Sequence, residues 1–194
     1  MKLDCEPTSS LFRPSSFDAL TAARLHRVCL PESNLARLGE VALARAYCSF
    51  ANSALERVVT NTTDSGLNGV ALVSLRPGSM GPRLALESGL HLRAWRLALS
   101  PFIYRTNADL GGPEIVALFV DPAYRRQGIG AALLTAAIQA CRSAHHPAPF
   151  LLAPDSNEAI GFCRSVGLVG SERVTRGRRT FSVLRPSWQL RSLR

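Results

Sequence analysis

The chain has 194 residues, enough for one domain with a sizeable core, and its 46% hydrophobic content is that of a globular protein rather than a disordered or fibrous one. The formal net charge is +9, and Lys2 is the only lysine among 23 basic residues, so arginine carries nearly all of the positive charge. Such a balance favours phosphate-bearing partners, whether a nucleotide cofactor, a nucleic acid or a membrane surface, and a GC-rich genome would also enrich arginine with no functional meaning.

Five cysteines, Cys5, Cys29, Cys48, Cys141 and Cys163, form no C-x-x-C pair, and three sit in helical patterns beside apolar residues. Reduced, mostly buried thiols in the cytosol are the expectation. The opening MKLDCEPTSSLFRPSS has no apolar core of the roughly 7–15 residues that a secretion signal carries, and no stretch approaches the about 20 apolar residues of a membrane span. A cytoplasmic protein without membrane insertion is expected, with a Ser/Pro-rich arm over residues 1–16 and a single domain over 17–194.

Along the chain, Phe17, Thr21, Leu25, Val28 and Cys29 recur at helical spacing, with Ser16 and Asp18 as start signals and Pro31 as the stop. A second helix is predicted from about Leu35 to Ala51, with Leu43, Tyr47 and Phe50 on one face. The period then changes, and LERVVTN and NGVALVSL read as a hairpin around TDSGLNG. Residues 82–100 place Leu86, Leu90, Ala94 and Leu97 on one stripe, which predicts a helix interrupted by Gly89. The apolar run EIVALFV follows as a strand, then a helix with Leu133, Leu134, Ala137, Ile138 and Cys141 on one face, ending near HHPAP. PFLLA is a short buried strand, SNEAIGFCRSV a helix stopped by Gly167, and LVGSERVTRG and RRTFSVLRP a closing strand pair. The predicted order is ααββαβαβαββ.

Between the EIVALFV strand and its helix stands VDPAYRRQGIGAALL, residues 120–134. The first four N–H groups of a helix lack internal acceptors, and the helix dipole places partial positive charge there. Gly128 and Gly130 remove side chains that would hold an anion away from the backbone, while Arg125, Arg126 and Gln127 add donors. With each charge-assisted bond contributing roughly 1.5–3 kcal/mol, the stretch reads as a diphosphate cradle. The alternative is that the glycines only permit a tight strand-to-helix turn. The dinucleotide fingerprint would need glycine where Leu133 stands, and the P-loop lysine is absent.

V-D-P-x-Y-R-R-x-G-I-G-x-x-L-L resembles the acyl-CoA-binding signature of the GNAT superfamily of N-acyltransferases, whose R/Q-x-x-G-x-G/A core is met by Arg125, Gly128 and Gly130. Element order resembles the family over residues 17–186, with recognisable motif from Glu114 to Leu168. The resemblance implies an α/β fold with a mixed, mostly antiparallel central sheet, a splayed parallel strand pair and flanking helices. It implies acetyl-CoA as acyl donor and a primary amine as acceptor. Leu118, Phe119 and Val120 would line the pantetheine, with Leu118 and Val120 offering backbone groups and their side chains remaining core. Arg125, Arg126, Gln127, Gly128, Ile129, Gly130 and Ala131 would surround the diphosphate.

A protonated amine cannot attack a thioester until it loses a proton. Glu114, at the start of the strand, stands where many relatives carry a base or a residue that binds a relaying water, and its alternatives are a solvated strand end or a salt-bridge partner. The leaving thiolate is protonated in many relatives by a tyrosine of N-x-x-A-I-x-x-Y-x-x-x-G-F. Here the segment is S-N-E-A-I-G-F-C-R-S-V-G-L, with Cys163 in the tyrosine position, Leu168 for the phenylalanine and Asn157 one residue closer to Ala159. Cys163 is therefore either the proton donor or a packed residue beside the cofactor tail, and Asn157 either bonds the pantetheine or caps its helix. Tyr104 and Tyr124 are substitutes that do not align with the usual acid.

No metal site is expected: His145 and His146 are chain neighbours without a Cys, Asp or Glu cluster, and His26 and His91 fall within helical patterns. The run with Arg173, Arg176, Arg178 and Arg179 reads as a solvated hairpin tip, or as a surface for an acidic acceptor or nucleic acid. The reading is an acyl-CoA-dependent N-acetyltransferase, monomer or homodimer, for an amine of a small molecule or peptide. Its competitors are a degenerate acyl-CoA sensor, suggested by the missing tyrosine, and an arginine-driven nucleic-acid binder, which is not the expected partner class.

Overall fold

A computed structural model describes residues 17–64, 66–80, 110–154, 159–176 and 179–191. The arm over 1–16, the helix predicted within 82–100, and Tyr104, His91 and Asn157 lie outside the described residues.

Helix α1 (Ala19–Cys29) begins where Asp18 Oδ1 accepts from the backbone N–H of Leu20 and Thr21, each at 3.0 Å, an N-cap that satisfies two of the orphan donors. It buries Ala19, Ala22, Ala23, Leu25 and His26. The second helix is shorter than its apolar spacing predicts. A 3₁₀ turn (Ala36–Leu38) comes first and α2 (Glu40–Asn52) starts only after Gly39. Leu43, Tyr47 and Phe50 are buried on one face of α2, as expected.

Strands β1 (Glu56–Thr63) and β2 (Gly66–Ser74) form the predicted hairpin, although pairing continues to Thr63 and Gly66, well into the residues read as a turn. Then come β3 (Glu114–Val120), a 3₁₀ turn (Pro122–Tyr124), α3 (Ile129–Ser143), β4 (Phe150–Pro154) and α4 (Ala159–Ser165). Strands β5 (Leu168–Arg176) and β6 (Arg179–Pro186) close the sheet, and a short α5 (Ser187–Arg191), absent from the sequence reading, follows. It rests against α3, with the Arg142 guanidinium 4.6 Å from the centre of the Trp188 ring.

The six strands run in the order β1-β2-β3-β4-β6-β5, and β3–β4 is the parallel pair in an otherwise antiparallel sheet. Alternation along β2 builds two cores. Val70 and Leu72 face α1 and α2 together with Val58, Ala117 and Phe119. Ala71 and Val73 face the other way, with Val59, Ile115, Leu133, Leu134, Ala137, Cys141 and Cys163. β2 is thus covered on both faces, which explains its nearly unbroken apolar run. Full burial of each leucine on α3 contributes roughly 1.5–3 kcal/mol, so the sheet holds this helix firmly.

Cys29, Cys141 and Cys163 are free thiols, whereas Cys48 is disulfide-bonded, and the expectation of uniformly reduced cysteines fails there. Among the described residues no helix is long and apolar enough to cross a membrane.

Candidate active site

Strands β3 and β4 pair only at their beginnings, Glu114 with Phe150 and Ile115 with Leu151. Beyond Ile115 the two strands part, and among the described residues no strand pairs with the edge of β3 toward β4. On its other edge β3 pairs with β2 as far as Val120, but with Leu72 opposite Ala117 and Val73 opposite Ile115, so Val116 is an extra, bulged residue. The splay matches the expected gap. The bulge was not legible, because EIVALFV carries no glycine or proline to mark it.

Which backbone groups enter the gap follows from hydrogen-bond alternation. Asp121 N–H donates to Asn68 O at 2.8 Å, toward β2. Phe119 and Ala117 therefore also present their N–H and C=O to β2, while Val120 and Leu118 present theirs to the gap. Phe119, named in the expected lining set, turns its backbone to β2 and buries its ring in the core beside His26, at 5.0 Å between ring centres. Val120 O is already engaged, accepting from Arg125 Nε at 3.2 Å and from the Cys29 thiol at 3.4 Å. Cys29 thus stands at the mouth of the gap, a position that sequence spacing could not show. Burial pushes its thiol up, against the opposing pull of the Arg125 guanidinium.

After β3 the chain reverses sharply. Asp121 Oδ1 accepts from Ala123 N–H at 2.9 Å, and Pro122 occupies the first position of the 3₁₀ turn. Arg126 (φ 64) and Gly128 (φ 79) both take the left-handed conformation, and such residues turn successive amides toward a common hollow. Gly128 is the N-cap of α3 and among the described residues no side chain caps the helix, so the amides of its first turn keep their orphan donors. Arg125, Arg126 and Gln127 are exposed around this end. An anion has there a helix of 15 residues, its dipole and a ring of donors.

The two glycines serve different ends. A Cβ on Gly128 would meet nothing within 4 Å, and the demand there is its positive φ. A Cβ on Gly130 would stand 3.0 Å from Phe162 Cζ and 3.3 Å from Cε2. Gly130 therefore admits the ring of Phe162 on α4 against the start of α3.

Glu114 is buried, with 7% of its surface exposed, and so is no solvated strand end. It stands directly opposite Ser74, which in turn stands opposite the buried Glu56 on β1. Partners in register share a face of the sheet, and this row lies on the α1/α2 side. The approach to β3 is fixed by Arg185 on β6, which donates to the carbonyls of Leu110 and Gly111 and lies over the Phe150 ring at 5.2 Å.

Cys163 is buried at 2% exposure among the residues under α3, and burial pushes its thiol up to about 11. Tyr124 sits half-buried in the 3₁₀ turn. His145 and His146 close α3, their N–H groups donating to Arg142 O and Cys141 O at 2.9 Å each. Among the described residues no group of His, Cys, Asp and Glu could hold a metal ion. Arg176 and Arg179 pair across the closing hairpin, and Arg173 is exposed on β5.

The sequence profile of the acetyltransferase (GNAT) family matches residues 100–168. No curated protein matches the sequence. Among solved structures, the chain is similar to the ribosomal-protein-S18-alanine N-acetyltransferase from Escherichia coli at 16% identity, covering 86% of this chain and 85% of that one with a TM-score of 0.54. It is similar to the Drosophila melanogaster polyamine N-acetyltransferase at 12% identity, with 86% and 93% covered and a TM-score of 0.58. A mosquito arylalkylamine N-acetyltransferase-like protein shows 15% identity, 87% and 94% coverage and a TM-score of 0.59. At these identities the structures establish a shared fold. The profile match falls on the strand, the loop and the helix that form the gap and the uncapped helix start beside it, so this stretch of the chain is similar to the acetyltransferase (GNAT) family.

Proposed function

We propose that the protein transfers an acetyl group from acetyl-CoA to the primary amine of a small molecule or peptide, in the cytoplasm, as a monomer or homodimer. The observation that carries this reading is the early parting of β3 from β4 beside an uncapped helix start. The diphosphate would sit on the amides from Gly128 to Ala131, with Arg125, Arg126 and Gln127 around it. The pantetheine would run along β3 toward Glu114, sharing the groups of Val120 and Leu118. From Val120 back to the bulge at Val116 is about 13 Å at strand rise, so the thioester would arrive close to Glu114.

In the reaction the ammonium first gives up one proton, directly or through water, to the Glu114 carboxylate. The amine nitrogen attacks the thioester carbonyl, a C–N bond forms and the C–S bond breaks. The second nitrogen proton leaves, and the CoA thiolate takes up a proton to depart as a thiol. Positioning and backbone donors that polarise the carbonyl supply most of the acceleration. The buried Cys163 favours one competing reading, an acyl-CoA sensor without turnover.

CoA release measured over a panel of amines, beside calorimetric titration with CoA, tests the proposal. Turnover with at least one amine is the expected result. Tight CoA binding with no turnover for any acceptor would establish the sensor, and absence of CoA binding would overturn both.

A further inference from the structure

Ser74 closes β2 opposite Glu114 and has no exposed surface. Its Oγ is buried and has no hydrogen-bond partner among the described residues. A buried hydroxyl without a partner is rare in folded proteins and marks either strain or a place for a bound molecule. Here it stands one strand from a carboxylate on the same face, with Cβ atoms about 4.5–5.5 Å apart in such pairs, and yet does not bond to it. A hydroxyl and a carboxylate in register on one face stand close enough for one small polar molecule to bond to both. A buried water needs two or more polar partners, and these two groups supply them. The second titratable neighbour in the row is Glu56, opposite Ser74 on its other side.

We propose that Ser74 is a positioning residue: with Glu114, its hydroxyl holds the water through which the acceptor amine loses its proton. This rests on the acetyltransferase reading above and names a group that its sequence motifs do not include. In the step, the ammonium gives a proton to the water while the water gives one of its own to the Glu114 carboxylate. Ser74 exchanges no proton and only orients the carrier. Its Oγ accepts from, or donates to, the water, so that the remaining lone pair faces the amine.

The test compares wild type, Ser74→Ala, Ser74→Thr, Glu114→Gln and the double variant S74A/E114Q, using whichever amine wild type accepts. Ser74→Ala is expected to lower kcat by about tenfold to a hundredfold, the loss that goes with one hydrogen bond to a charged relay, with the KM for acetyl-CoA unchanged. Ser74→Thr keeps a hydroxyl and restores most of the rate. In the Glu114→Gln background, Ser74→Ala adds little, because the two act on one proton path. Since the hydroxyl has no partner to lose, Ser74→Ala melts at or above the wild-type temperature.

An unchanged kcat in Ser74→Ala, or fully additive losses in the double variant, overturns the role of Ser74 and leaves the transferase standing if Glu114→Gln is slow. A large drop in melting temperature for Ser74→Ala also overturns it, by showing that the hydroxyl is a structural bond. Wild type inactive on every amine overturns the transferase reading itself, and the proposal with it.

Discussion

Gly130 of α3 and Phe162 of α4 meet where no Cβ has room: one placed on Gly130 would lie 3.0 Å from the ring. The contact joins the helix whose start is the proposed diphosphate site to the helix that follows β4. Gly130→Ala forces the ring aside and is expected to destabilise the fold by about 1–3 kcal/mol, the usual cost of overpacking. Phe162→Ala makes room, so the double variant should recover part of that loss rather than add to it. Urea unfolding of the four proteins measures the coupling, and simple additivity would mean that the ring already has space to move.

Gly128 answers a different demand and should respond differently. With φ 79 and open space around it, Gly128→Ala costs only about 1–2 kcal/mol of backbone strain. Gly128→Glu adds a negative charge beside the helix amides that would face the diphosphate. The expected outcome is a folded protein with no detectable CoA affinity by calorimetric titration. Unchanged affinity would place the cradle elsewhere.

How far the site could be read from the sequence divides along a physical line. The geometry of the proposed anion end was legible because Arg125, Gly128 and Gly130 lie within one short stretch of chain and the helix start follows from local rules. The open face of β3 was legible only through family resemblance, since the parting of β3 and β4 depends on partners far apart in sequence. Three features were out of reach. The bulge at Val116 lies in a run of ordinary strand residues. Cys29 reaches Val120 O across 91 positions of chain, and Ser74 meets Glu114 only through the register of β2 and β3. The late start of α2 was missed because Ala36 and Leu38 keep an apolar spacing that a 3₁₀ turn also satisfies.

Glu114 and Cys163 make opposite predictions as acid–base groups. Glu114→Gln keeps the size of the side chain but cannot take a proton, so kcat should fall by about a hundredfold or more at neutral pH, with CoA affinity nearly unchanged. Cys163, held up to about 11 by burial, remains a neutral thiol through the neutral range. Cys163→Ala should keep kcat within about twofold and lower stability by about 1–2 kcal/mol through the small cavity it leaves. A large loss of kcat in Cys163→Ala, with the fold intact, would return the thiol to the role of proton donor.

The last prediction concerns pH and the α1/α2 side of the core. His26 is fully buried, its Nδ1 2.6 Å from Tyr47 Oη and its Nε2 2.8 Å from Ser33 Oγ, and burial lowers its pKa from 6.5 to about 4. Between those values the unfolded chain binds a proton at this position that the folded chain refuses. Stability from the neutral imidazole is therefore complete above pH 6.5 and is lost as pH falls toward 4, by about 3 kcal/mol in all. Below about pH 4 the folded state also takes the proton, and this group adds no further slope. His26→Gln retains polar atoms for Tyr47 and Ser33 but does not titrate. Urea unfolding at pH 7 and pH 4.5 should show wild type losing markedly more stability than the variant across that interval. An equal loss in the two proteins would mean that the ring is already protonated, or already wet, in the folded state.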